Sequence, residues 1–213
     1  MAKRKVYKLP KYEKFLRKKS APVKKVTRDV RQLIQDLADT LDTMDGVGLA
    51  APQIGVHSRV AVIIVGSKNG EKPEDEEEEL GEMLPLIDPE IIEASPDLER
   101  SYDGCLSIPG LQGYTWRPTF LRVRALDINN NKVEYYFEGF DARVAAHEID
   151  HLDGILYFDR LKSLNDLYYL VPDPEDDEKV KFLPYLEVHP EFQATPHPMP
   201  GIPTTGVKTI ADE

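Results

Sequence analysis

The stretch AAHEIDHLDG, residues 145–154, predicts a helix with two histidines on one face. His147 and His151 are four residues apart, so on a helix their Cβ atoms lie about 5–6 Å apart. Glu148 points slightly aside, within reach of a water held by a metal between the two imidazoles. This His-Glu-x-x-His arrangement is typical of metal-assisted hydrolysis. The alternative is an amphipathic helix with solvated polar residues. The flanking residues are largely apolar, however, and buried imidazoles need partners.

A hydrolytic site of this type needs a third protein ligand, and the single cysteine of the chain is the candidate. Cys105 lies in DGCLSIPG, residues 103–110, where Gly104 and Pro109 indicate a shaped loop. A thiolate is a strong ligand for a divalent transition metal. The alternative is a buried structural cysteine, which is the commoner case. One cysteine also excludes an internal disulfide and fits a reducing compartment.

A third stretch, GVGLAAPQIG at residues 46–55, combines small residues with one amide side chain, Gln53. Its first two glycines suggest a nucleotide-binding loop. The third glycine of the dinucleotide fingerprint is missing, and the predicted helix precedes the glycines, so this interpretation is excluded. A glycine-rich strand edge lets an extended peptide approach and pair with the backbone.

Composition predicts one globular domain with a real core. The chain has 213 residues, 41% hydrophobic and 31% charged, and a formal net charge of −11. The first 25 residues are strongly basic, whereas residues 71–82 form an acidic run. The net charge argues against a general nucleic-acid binder. The basic start could contact RNA or a ribosome, but we favour its interpretation as a solvated surface. We expect neither an export signal nor a membrane-spanning helix.

Apolar spacing and turn residues predict the secondary structure. The N-terminal half should contain a helix over 27–44 with Thr27 as N-cap and Gly46 as stop, a buried strand at 59–65, a surface loop at the acidic run, and short strand segments broken by prolines over 84–95.

The second half should contain a hairpin, the histidine helix and a tail. The expected segments are strands 120–128 and 132–140 around an Asn turn, a helix from about 141 to 151, one short helix in SLNDLYYL, and an extended or partly ordered tail from Pro172.

Taken together and in this order, GVGLAAPQIG, DGCLSIP and HEIDHLDG resemble the peptide deformylase family. The resemblance extends from about residues 14–23 to 158–161. It implies an α+β fold, with small mixed or antiparallel sheets packed around a central helix that carries the His-Glu motif. It also implies an enzyme that removes the formyl group from N-formylmethionyl polypeptides and releases formate.

The resemblance assigns a role to each matching position. It implies the metal ligands Cys105, His147 and His151, the general acid/base Glu148, the oxyanion stabilisers Gln53 and the Leu106 N–H, and the substrate-binding residues Gly48, Val47, Gly104, Phe140 and Val144. The metal would most often be Fe(II), and zinc, nickel or cobalt can occupy such a site.

Three positions depart from the family pattern: Asp103 replaces a usual Glu, Ala146 a frequent Gln, and Gln112 a common Arg. None removes a ligand or the acid/base.

We expect a catalytic domain over 1–165 with an acidic insert at about 70–83, and a C-terminal extension over 166–213. We further expect a cytoplasmic monomer close to the ribosome, with no membrane or sequence-specific nucleic-acid partner. The rival hypotheses are a His-Glu-x-x-His metallopeptidase and a deformylase-like binding protein.

Overall fold

The computed structural model describes residues 3–66, 81–174 and 176–192, with the side chains of 176–178 excepted. It contains four α-helices in these ranges, α1 (Glu13–Leu16), α2 (Arg28–Leu41), α3 (Gly139–Leu152) and α4 (Tyr185–Val188). Its strands there are β1 (Gly48–Ala50), β2 (Val60–Val65), β3 (Glu82–Ala94), β4 (Leu98–Gly104), β5 (Leu111–Pro118), β6 (Phe120–Leu126), β7 (Lys132–Glu138), β8 (Leu167–Asp173) and β9 (Asp176–Pro184).

The chain divides into two compact units. Unit 1 comprises Met1–Tyr7, Lys14–Glu99 and Arg117–Ile155, and unit 2 comprises Lys8–Glu13, Arg100–Trp116 and Leu156–Glu213. Antiparallel sheets and few helices confirm the predicted α+β class. The predicted division at residue 165 remains a prediction.

Unit 1 is a five-stranded sheet in the order β1-β2-β3-β6-β7, with helix α3 packed against it. All neighbouring strand pairs are antiparallel. The apolar residues of α3 join those of the sheet in one core cluster, which includes Ala142, Val144, Ala145, Ala146, Ile149, Leu152, Ile63, Leu86, Leu121 and Val123. Burial of these side chains fixes α3 on the sheet and therefore positions the two histidines.

Helix α2 begins as predicted and ends earlier. Thr27 is its N-cap, and the Thr27 side chain accepts a hydrogen bond from the Val30 N–H at 3.4 Å. The helix ends at Leu41 rather than at 44. The Met44 N–H bonds to the Leu41 carbonyl at 2.9 Å, so a tight turn continues the apolar spacing past the helix end.

The expectation that prolines break the segment 84–95 is wrong. Strand β3 runs through 13 residues, Glu82–Ala94, with Pro85 opposite Val62. Its register against β6 shifts between Ile87 and Glu90, and Asp88 has φ +50°. This bulge absorbs Pro89 without ending the strand, because an irregular residue need not contribute to the ladder of hydrogen bonds.

The predicted hairpin is confirmed by β6 and β7. The Asp127 Oδ1 accepts hydrogen bonds from the N–H groups of Asn129 and Asn131 at 2.7 and 2.8 Å. The hydrogen bonds from Asn131 hold the pKa of Asp127 below its usual range. Asn130 has φ +71°, a conformation that asparagine tolerates.

The histidine helix is confirmed and is slightly longer than predicted, from Gly139 to Leu152. Gly154 follows it with φ +75°. A Cβ on Gly154 would lie 2.4 Å from the Arg17 carbonyl oxygen, so the N-terminal segment packs directly on this backbone.

Gly154→Ala should destabilise the protein by about 2–5 kcal/mol, because left-handed strain adds to a clash with backbone that cannot move aside. Urea unfolding measures this loss. Gly66→Ala is the control, since Gly66 has φ +80° but a Cβ there meets nothing within 4 Å. Equal losses in the two variants would contradict the proposed clash.

Unit 2 carries most of a second sheet, in the order β4-β5-β8-β9. The short helix expected in SLNDLYYL is wrong: a single 3-10 turn at Leu164–Asp166 leads into strand β8. Leu167 and Tyr169 are buried on one face of β8, which is a strand period rather than a helical one.

Residues beyond Pro172, for which no regular structure was expected, include strand β9 and helix α4. Tyr169 stacks on Tyr185 with ring centroids 5.6 Å apart, and the Tyr169 hydroxyl hydrogen-bonds His189 Nε2 at 2.8 Å. Burial raises the pKa of Tyr169 to about 12. A buried aromatic cluster therefore orders the chain in this region.

Two sequence predictions fall largely outside the described residues. They are the surface loop at the acidic run, of which only residues 81 and 82 are described, and the tail from residue 193 onward. Both remain predictions.

Candidate active site

Helix α3 presents one stripe of candidate site residues. Phe140, Val144, His147 and His151 recur at intervals of three or four residues, which places them along one helical face. His147 and His151 are 8% and 1% exposed. Their ring centroids are 4.9 Å apart and the ring planes stand at 73°. In this arrangement one nitrogen of each ring can point to a common position.

Glu148 lies against the backbone of Gly48. Gly48 is the first residue of β1 and pairs with Ile63 of β2. A Cβ built on Gly48 would lie 2.5 Å from the Glu148 Oε1, and the Glu148 side chain is buried. Because residue 48 is a glycine, the Glu148 carboxylate can occupy the space that a side chain there would fill.

Gln53 is fixed by the backbone around it. It lies in a 3-10 turn, Ala51–Ile54, and is 1% exposed. Its side chain accepts a hydrogen bond from the Ala50 N–H at 2.7 Å. Because a backbone N–H can only donate, the accepting atom is the amide oxygen. The Ala50 N–H therefore fixes the position of the amide oxygen and, with it, the direction of the two N–H donors on Nε2.

Cys105 begins the turn that follows β4. The Ile108 N–H donates to the Cys105 carbonyl at 2.8 Å, and the Ser107 N–H lies 3.4 Å from the Cys105 Sγ. The Ser107 N–H therefore donates a hydrogen bond to the sulfur of the predicted metal ligand and helps to fix its position. Within the described residues, the Leu106 N–H donates no hydrogen bond.

The residues around this loop are buried and polar. Asp103 is 6% exposed and accepts a hydrogen bond from the Thr115 hydroxyl at 3.0 Å. Burial raises the pKa of Tyr157 well above its usual range, and the nearby Cys105 and Asp103 raise it further. Asp103, a departure from the family pattern, thus has a fixed partner despite its shorter side chain.

A buried ion pair of α3 was not predicted from the sequence. Arg117 Nη1 and Asp150 Oδ2 are 2.9 Å apart, with side chains 4% and 10% exposed. Asp150 directly precedes His151, so the pair holds the helix at the level of the histidines. An aspartate inside the apolar stretch was the available signal, but its partner is 33 residues away in the chain.

The predicted ligands form a group with the right chemistry. Within the described residues, Cys105, His147 and His151 could together hold a metal ion. One thiolate and two imidazoles suit a divalent transition metal such as iron or zinc. The residues present therefore fit a metal ion.

Comparison with known proteins gives a consistent result. The polypeptide deformylase family matches residues 3–166. A peptide deformylase of Symbiobacterium thermophilum is 41% identical over 179 residues, 84% of this chain and 74% of the relative. One of Thermomicrobium roseum is 43% identical over 164 residues, 76% of this chain and 88% of the relative.

Solved structures show the same similarity. The peptide deformylase of Ehrlichia chaffeensis has a TM-score of 0.66 at 34% identity, covering 75% of this chain and 88% of that protein. The enzyme of Thermotoga maritima has a TM-score of 0.66 at 32% identity, covering 76% of this chain and all of that protein. The resemblance found in the three sequence stretches is thus confirmed, and the chain belongs to the polypeptide deformylase family.

Proposed function

We propose that the protein is a metal-dependent hydrolase that removes the formyl group from the N-terminal formylmethionine of polypeptides and releases formate. The observation that carries this proposal is the donor group Cys105, His147 and His151, with Glu148 on the same helix as the histidines. Membership of the deformylase family supports the choice of substrate.

A bound divalent metal would supply a water that ionises near neutral pH and would polarise the formyl carbonyl. Glu148 accepts the proton of the attacking water on its carboxylate and returns it to the leaving amine. The contact between Glu148 and the Gly48 backbone supports this role, because it limits where the carboxylate can lie. Burial of Glu148 keeps bulk water away from the transferred proton.

Gln53 Nε2 and the Leu106 N–H stabilise the oxygen on which negative charge develops. Preorganised donors at such an oxygen commonly contribute more than any other single factor. The hydrogen bond from the Ala50 N–H to the Gln53 oxygen supports this role, since it fixes the amide orientation before substrate binds. The turn that begins at Cys105 holds Leu106 next to a proposed metal ligand.

Gly48 pairs with the substrate backbone, and Val47, Gly104, Phe140 and Val144 surround the methionine side chain. In the described sheet of unit 1, β1 is an edge strand and pairs with β2 alone, so an extended peptide can add to it. Phe140 and Val47 pack on the same apolar cluster as Val144, which supplies an apolar wall.

The deciding experiment compares a formyl-Met tripeptide with its acetyl-Met analogue, with metal content measured on the same sample. The formyl peptide should be cleaved in proportion to bound metal, and the acetyl peptide should be cleaved far more slowly. Cleavage of internal peptide bonds instead would favour the rival metallopeptidase. Binding without cleavage by metal-loaded protein would favour a binding module.

We further propose Fe(II) as the physiological metal. Protein purified without oxygen should be more active than the same preparation aged in air, because ferrous iron and a thiolate both oxidise. Turnover and elemental analysis of parallel samples measure this. Unchanged activity after long air exposure, with zinc as the bound metal, would contradict the assignment.

The proposal extends to the setting of the enzyme: a cytoplasmic monomer that meets formylated chains near the ribosome. Within the described ranges, no helix is long and apolar enough to cross a membrane. Sedimentation of the purified protein tests the monomeric state.

A further inference from the structure

Unit 2 carries an exposed aromatic patch, which consists of Tyr102, Tyr114, Tyr168 and Phe182. One ring comes from each of the strands β4, β5, β8 and β9. The ring centroids of Tyr102 and Tyr114 are 4.1 Å apart, and those of Tyr102 and Phe182 are 5.4 Å apart. Tyr168 contacts Tyr114 and Phe182 edge to face.

Much of this patch is open to solvent. Tyr102 and Phe182 are each 44% exposed, and Val180, two residues before Phe182 on β9, is 42% exposed. Large apolar side chains gathered on an exposed sheet face mark an interaction site more often than a solvated surface. Tyr168, Val180 and Phe182 lie beyond residue 166, where the match to the family ends. Two of the four rings, Tyr168 and Phe182, therefore lie outside the segment that the family model matches.

The patch is continuous with the loop that carries Cys105. Tyr102 and Gly104 are two residues apart on β4 and so lie on the same face of the sheet. A Cβ on Gly104 would meet the Gln112 side chain at 3.4 Å, and Gln112 pairs with Tyr168 in the neighbouring strand. One surface thus runs from the residue before the proposed metal ligand to the four rings.

We propose that the aromatic patch binds the polypeptide substrate downstream of its formylmethionine, through apolar side chains. This inference rests on the proposed function, which places the formyl end at Cys105. Tyr102 is three residues from Cys105, or about 10 Å along an extended strand. An extended substrate covers this distance in about three residues, so its fourth to sixth residues reach the patch.

The charges near the patch favour a peptide over a nucleic acid. Arg100 stacks on the Tyr114 ring at 3.7 Å and is already paired with Asp166 at 2.6 Å. The chain as a whole carries a net charge of −11. A polyphosphate backbone would meet few available cations here, whereas rings and a valine suit apolar side chains.

The test compares three substrates: a formyl-Met tripeptide and two formyl-Met octapeptides, with leucine or serine at positions four to six. Wild-type kcat/KM should be about three- to tenfold higher for the leucine octapeptide than for the serine one, as expected for one or two aromatic contacts. The difference should lie in KM. Phe182→Ser and, separately, Val180→Ser should bring the ratio towards one. Tyr136→Ser, which removes an exposed ring of β7, should leave it unchanged.

The possible outcomes distinguish failure of the patch proposal from failure of the proposed function. The tripeptide is too short to reach the rings, so its turnover reports on the proposed function alone, and failure there would overturn both proposals. Equal leucine-to-serine ratios in wild type and in both β9 variants, with normal tripeptide turnover, would overturn the patch alone. A labelled 12-nucleotide oligo-dT that binds wild type but not the variants would also overturn it, in favour of a nucleic acid.

Discussion

Replacement of Glu148 by glutamine is expected to lower kcat by roughly 10²–10⁴-fold, the usual contribution of a positioned general acid/base. This corresponds to about 3–5 kcal/mol of activation free energy. Glutamine keeps the size of the side chain and its place beside Gly48, but its amide cannot accept the proton of the attacking water. Metal content and the unfolding transition should stay close to those of the wild type.

The exposed carboxylate of Glu90 on β3 provides the control, since Glu90→Gln removes the same charge from a side chain that is 68% exposed. Its kcat should equal that of the wild type. A Glu148→Gln protein that cleaves formyl-Met peptides at the normal rate would overturn the proposed mechanism. The same variant distinguishes a hydrolase from a binding module, because ligand binding alone would be little changed.

Replacement of Cys105 by alanine should remove metal and activity together. Two imidazoles alone hold a divalent metal weakly, so the purified variant should contain only a small fraction of an equivalent. Because metal-assisted activation contributes several kcal/mol, turnover should fall by about 10³-fold or more. Elemental analysis and formate release on one sample measure both effects.

His57→Phe is a suitable control, because it removes a side chain that could bind a metal but that lies outside the proposed ligand group. His57 stacks on Phe15 with ring centroids 3.9 Å apart, and within the described residues its ring nitrogens have no hydrogen-bond partner. A phenyl ring should therefore fit this place, and metal content should not change. A Cys105→Ala protein with a full equivalent of metal and near-normal turnover would refute the ligand assignment.

Local sequence patterns were sufficient to predict the elements that position the candidate site. Helical spacing located α3, and the Asn turn located the β6–β7 hairpin, because both signals lie within a few neighbouring residues. The donor group Cys105, His147 and His151 could also be anticipated, since its residue types have few other common uses together. The individual catalytic roles remain predictions.

The features that the sequence did not reveal depend on distant partners. Strand β3 continues past Pro89 because its register shifts there against β6, which no local pattern indicates. The β8–β9 hairpin lies in a segment rich in proline and acid, and burial of Tyr169 against Tyr185 orders it. The Arg117–Asp150 pair likewise joins residues that only the folded chain brings together.

The close approach of Gly48 to Glu148 has an evolutionary consequence. Any side chain at position 48 would displace the carboxylate to which we assign the proton transfer, so we expect a mutation there alone to lower activity. Shortening residue 148 to aspartate would restore space but withdraw the proton acceptor by one methylene. We therefore expect positions 48 and 148 to change together in evolution or not at all, although they are 100 residues apart in the sequence.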